Sequence, residues 1–243
     1  MPTYRETALV LRTQKLGESD RIVSLLTKGR GRVRVVARGV RRTSSRIGAR
    51  LEPFALVDVQ CYEGRTLDSV TQVESLANYG ATLSGDYARW TAGQVMLETA
   101  ERFTSEEGEP TVQQFLLLVG GLRSLAADEH EAGLILDSFL LRSLSVAGWA
   151  PSFEVCAKCG EFGPHRAFHP AAGGALCADC KVPGSSMPSA GTLELMGSLL
   201  AGDWQAAEQS TARQRRDAAG VTAAYLQWHL ERNLRSLPHV ERA

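Results

Sequence analysis

The chain has 243 residues, 44% of them hydrophobic, and a formal net charge of zero. That is enough apolar material for one large or two small cores, and no apolar run approaches the roughly 20 residues needed to cross a bilayer. The opening stretch MPTYRETALVLRTQ places charges where a secretory signal needs an unbroken apolar region, so a cytoplasmic location is expected.

The zero charge conceals an asymmetry. Residues 1–80 hold 14 Lys and Arg against 8 Asp and Glu, a net of +6, while the other 163 residues hold 13 against 19, a net of −6. A basic module joined to an acidic one is the simplest reading. From Glu6 to about Ser75 the pattern is five short β-type runs: TALVLRT, DRIVSLLT, RVRVVAR, FALVDVQCY and TLDSVTQVES. RVRVVAR alternates polar and apolar residues, and Lys28-Gly29-Arg30-Gly31 supplies a turn that joins it to the run before as a hairpin. Five such runs bury one face each most economically as a small antiparallel barrel.

After Asn78-Tyr79-Gly80 the apolar spacing changes to three and four residues. Helices are expected around Trp90 to Phe103, over Thr111 to Leu125 and over Ala132 to Val146, the last apolar on all sides, hence most buried, and ended by Gly148. A cysteine-bearing segment follows, then helices over Ser189 to Ala201, a short one at Trp204 and a long one from Ala219 to Leu237. The fold class is therefore α+β, with a boundary near residue 80: a barrel over 1–80 and an all-α domain over 81–243, interrupted by the cysteine element at about 151–185.

Cys156-Ala-Lys-Cys159 and Cys177-Ala-Asp-Cys180 are separated by 17 residues, the spacing of two zinc knuckles. Four thiolates complete a tetrahedron and leave no open position for water, so one structural Zn2+ is expected. A redox CxxC or unpaired thiols are the alternatives. His165 and His169, between the knuckles, read as loop histidines rather than ligands, Cys61 as a core thiol, and Glu18-Ser19-Asp20 as a turn or strand cap.

Lys28, Arg30, Arg32, Arg34, Arg38, Arg41, Arg42, Arg46 and Arg50 fall within 23 residues free of Asp and Glu. A run of one sign repels itself without an anionic partner, and the planar arginine fork meets a phosphate in two hydrogen bonds. Arg32 and Arg34 should share one strand face, with Arg38, Arg41, Arg42 and Arg46 in the loop beyond. A small barrel is also a frequent platform for single-stranded nucleic acid. Aromatic residues are few, only Tyr4, Phe54, Tyr62 and Tyr79 in the first 80, so affinity should rest on phosphates more than on stacking. No P-loop, GxGxxG, HExxH, GxSxG or paired-metal carboxylate motif occurs, which gives no support to an enzyme or a small-molecule substrate.

GESDRIVSLLTKGRGRVRVVARGVRRTSSRIGARLEPF resembles the N-terminal signature of the bacterial RecO recombination mediators. LRSLSVAGWAPSFEVCAKCG resembles that family's approach to its zinc-binding region, and LQWHLERNLRSLPHV its C-terminal helix, so the resemblance spans nearly the whole chain. It implies an N-terminal OB-fold, a helical domain with the zinc element inserted, and a nucleoid-associated role in recombinational repair. It further implies binding of single- and double-stranded DNA, annealing of complementary strands and, with RecR, help in placing RecA on DNA coated by single-strand binding protein. The family's DNA-binding surface corresponds as a group to Arg32, Arg34, Arg38, Arg41, Arg42 and Arg46, and its metal ligands to Cys156, Cys159, Cys177 and Cys180. The competing expectation is a zinc-stabilised protein-interaction scaffold with only non-specific affinity for DNA.

Overall fold

The structure, a computed structural model, describes residues 2–42, 45, 47–105, 109, 111–230 and 233–240. Five strands, β1 (Thr3–Leu16), β2 (Asp20–Thr27), β3 (Gly31–Ala37), β4 (Ala55–Tyr62) and β5 (Asp68–Asn78), close into a barrel in the order β1-β2-β3-β5-β4. The two-residue period decides the interior. Val23 and Leu25 of β2, Val35 and Ala37 of β3, and Ala55, Val57, Val59 and Cys61 of β4 all point inward and are buried. The expected α+β class and five-stranded barrel are thus present, and β2 and β3 form the expected hairpin.

Two features of the barrel differ from the sequence expectation. β1 is twice the length of the run TALVLRT because its first half pairs with β4 (Thr3↔Tyr62 to Leu9↔Leu56) and its second with β2, ending at Leu16↔Asp20. An irregularity between Val10 and Arg12 lets one strand serve two neighbours. The barrel is also not wholly antiparallel, since β3 and β5 run parallel and meet through two residue pairs, Val35↔Asp68 and Val36↔Ser69.

The chain divides into two compact units, 1–127 and 128–243. In the first, α1 (Tyr79–Leu83), α2 (Tyr87–Phe103) and α3 (Val112–Ala127) follow the barrel. Asn78 and Asp86 start α1 and α2 by accepting hydrogen bonds from the Ala81 and Arg89 amides, as N-cap residues do. Phe54 is fully buried, its ring 4.8 Å from that of Trp90 and pressed against Gly93, where a Cβ would lie 2.8 Å from it. Its φ of 73° is a conformation that costs a non-glycine residue about 1–3 kcal/mol, which the packing against α2 offsets.

In the second unit, α4 (Ala132–Val146), α5 (Thr192–Ala201), α6 (Trp204–Glu208) and α7 (Ala212–Leu230) pack together, with the cysteine element between α4 and α5. α4 is the most buried helix, as its composition predicts, and Gly148 with φ 88° follows its end. α7 begins seven residues earlier than expected. Thr211 and Gln214 form a capping box: the Gln214 amide donates to the Thr211 hydroxyl and the Thr211 amide to the Gln214 side chain. It also stops sooner, and Leu237–His239 is a separate turn of 3-10 helix around Pro238. Among the described residues no helix is long and apolar enough to cross a membrane.

Candidate nucleic-acid interface and metal centre

The basic stretch leaves the barrel on β3. Val33 and Val35 face the core, so Arg32 and Arg34 project from the outer face, as the strand period requires. Cross-strand register places Arg12, Ser24 and Arg34 in one row of that face, and Leu26 beside Arg32 in the next. The two arginines have different surroundings. Arg34 is exposed, whereas the Arg32 side chain keeps only 15% of its surface and donates to the Ser105 carbonyl beyond α2. Glu101 of α2 stands over the same rows, 3.0 Å from Arg12, 3.9 Å from Arg32 and 3.5 Å from the Ser24 hydroxyl.

Beyond β3 the chain turns at Gly39, whose φ of 65° suits glycine. Asp20 braces this turn by accepting from the Gly39 amide at 2.8 Å and the Ser19 hydroxyl at 2.9 Å. Those two bonds hold its carboxyl below the usual carboxylate range, with Arg38 and Arg42 adding a smaller pull. The Glu18-Ser19-Asp20 segment is therefore a turn brace, as read from sequence. Arg41 donates to the Gly17 and Glu18 carbonyls, tying the loop to the β1–β2 turn, while Arg38 and Arg42 are exposed on either side of it. Arg50 donates to the Val73 carbonyl. Arg46 lies outside the described residues.

At the opposite end of the hairpin Arg30 covers the Tyr4 ring at 4.0 Å and pairs with Glu63. The Tyr4 hydroxyl donates to Asp68 at 2.6 Å, and burial, then that bond, raises its pKa. Cys61 beneath it is fully buried and burial pushes its thiol up to about 11, the state of an inert core thiol. With Phe54 in the core and Tyr4 covered, Tyr62 is the one exposed aromatic side chain among the described residues of the barrel strands.

Cys156, Cys159, Cys177 and Cys180 converge, with one Sγ from each lying within 4.8 Å of all the others. Each CxxC segment is a closed turn, Gly160 N donating to Cys156 O and Lys181 N to Cys177 O, with Gly160 at φ 79°. The strands β6 (Ala167–His169) and β7 (Gly174–Leu176), too short to read from sequence, bring the second turn back beside the first. Sγ of Cys159 and Cys177 are 3.7 Å apart. This is far from a disulfide, and close to the edge of about 3.8 Å in a tetrahedron with metal–sulfur bonds near 2.3 Å. The backbone amide of Cys177, then those of Cys159 and Lys158, point at Cys156 and pull its thiol down, while burial and hydrogen bonds within the cluster push that of Cys177 up. Amides aimed at sulfur stabilise thiolate, the ligating form, so the residues present fit a thiophilic tetrahedral ion. His165 instead contacts the Glu161 carbonyl, and neither it nor His169 joins the cluster.

A closed five-stranded barrel bearing an arginine-rich hairpin, followed by a helical region interrupted by a four-cysteine cluster, is the architecture of one class of α+β protein. Residues 1–79 match the family model described as recombination protein O N terminal, and residues 84–238 that described as recombination protein O C terminal. The chain is 61% identical to the DNA repair protein RecO of Streptomyces avermitilis over the full length of both. It is 60% identical to that of Nocardioides sp., covering 98% of this chain and 99% of the relative, and 56% identical to that of Thermobifida fusca over the full length of both. The chain belongs to the RecO family.

Proposed function

We propose that this protein is a non-enzymatic recombination mediator in DNA repair, an OB-fold module over 1–80 joined to a helical module over 81–243. It binds single- and double-stranded DNA and anneals complementary strands. With RecR it assists the loading of RecA onto DNA coated with single-strand binding protein, in the cytoplasm at the nucleoid. The observation that carries the DNA reading is the acid-free run from Lys28 to Arg50, set on a barrel whose turns hold Arg38 and Arg42 outward.

Charge neutralisation supplies the mechanism. Arg34, Arg38 and Arg42 meet phosphates, Arg41 fixes the loop that presents two of them, and two strands brought to one cationic surface repel each other less while their bases pair. Sequence preference is weak, because phosphates carry no sequence information and little aromatic surface is open for stacking. The four cysteines hold one structural Zn2+, which supplies folding energy and no chemistry.

The test is annealing of complementary oligonucleotides over a salt series with the variant R38A/R41A/R42A. Annealing should be lost while the far-UV circular dichroism stays unchanged, and the wild-type affinity should fall steeply with salt. Undiminished annealing by the variant, or binding indifferent to salt, would refute the assignment.

A further inference from the structure

Glu101 is the carboxylate of α2 that faces the arginine-bearing side of the barrel, and 18% of its side chain remains open. Around it are Arg12 of β1 at 3.0 Å, Arg32 of β3 at 3.9 Å and the Ser24 hydroxyl of β2 at 3.5 Å. Arg32 is held a second time by the Ser105 carbonyl. The hairpin turn is pressed onto the same helix connection, since a Cβ on Gly31 would lie 1.8 Å from the Glu109 carbonyl oxygen. A carboxylate in contact with two arginines stands where a phosphate oxygen would stand, and an arginine so paired gains little by exchanging one anion for another.

We infer that Glu101 withholds Arg12 and Arg32 from nucleic acid: both are positioning residues that dock α2 onto the outer face of β1, β2 and β3, and the contact set is confined to the arginines beyond them. This rests on the proposed reading of the barrel as the DNA-binding module and narrows it. It divides one basic stretch into a docking part and a binding part, and it adds Arg12, which lies outside that stretch, to the docking part.

The experiment measures binding of a fluorescent oligothymidylate to the full chain over a salt series. For single strands the slope of log affinity against log salt changes by about 0.7 per phosphate contact. R12A/R32A should keep the wild-type slope while its melting temperature falls. E101Q keeps the shape but removes the carboxylate that pairs with Arg12 and Arg32, so its slope should steepen by about 0.7 where Arg12 alone is released and by about 1.4 where Arg32 also leaves the Ser105 carbonyl. E101Q/R12A/R32A should return to the wild-type slope, which no purely structural role of Glu101 would produce. A slope shallower by about 0.7 or more in R12A/R32A, or an unchanged slope in folded E101Q, would overturn the inference. R12A/R32A decides the matter even where E101Q does not fold. If R38A/R41A/R42A also keeps the wild-type slope, it is the reading of the barrel itself that fails.

Discussion

The barrel and the cysteine element fold by different means. The barrel encloses thirteen buried residues from Ala8 to Val73, and burying a Val or Leu side chain contributes roughly 1.5–3 kcal/mol. The core of the cysteine element is Cys156, Ala167, Leu176 and Cys177. Two of those four are the proposed ligands, so little apolar surface besides that of the neighbouring Phe168 and Ala175 orders the loops around them. One region is therefore ordered by its own apolar interior. The other is proposed to depend on an ion for its fold.

Metal removal probes that contrast with the largest effect. Chelation, or Cys156→Ser, should abolish amide protection over 151–185 in hydrogen exchange, since structural zinc sites of this kind contribute on the order of 10 kcal/mol. β1 to β5 should keep theirs, and a barrel that loosened in parallel would erase the distinction. Metal analysis of protein purified without chelator should find one equivalent of zinc. Next in size is Phe168→Ala. Phe168, one residue from the cysteine cluster on β6, is 1% exposed and meets Phe153 and, edge-on, Tyr225 of α7. Its loss should cost about 3–5 kcal/mol and lower the melting temperature of the second unit alone.

The smallest effect concerns pH. His229 stacks on Trp149 and meets the edge of Tyr225, and burial lowers its pKa from 6.5. The folded state thus favours neutral imidazole. The unfolded chain takes up the proton first as pH falls, so this contribution is present above about pH 6.5 and is lost as pH falls through the lowered folded value. His229→Phe keeps the stack and should flatten the dependence of thermal stability on pH below 6.5. An identical pH profile in the variant would assign that dependence to other groups.

The same contrast governs what was legible in the sequence. The cysteine cluster depends on local spacing, and two CxxC turns name all four residues before any tertiary contact is known. The arginines depend on what comes back to cover them. Strand periodicity puts Arg32 and Arg34 on one face, but nothing nearby reveals that α2, some seventy residues later, returns with Glu101 and Ser105 to take the first and leave the second exposed. Arg12 was passed over for the same reason, since its place in the row with Ser24 and Arg34 follows from register across three strands. The start of α7 is a different case. Thr211 and Gln214 are a local signal, overlooked because the apolar stripe strengthens only from Ala218 onward.

The parallel pairing of β3 with β5 spans two residue pairs, against seven for β2 with β3 and eight for β4 with β5. Closure is thus a clasp on an otherwise continuous band. That short seam lies at Val35 and Val36, on the strand that carries Arg34 and feeds the loop of Arg38 and Arg42.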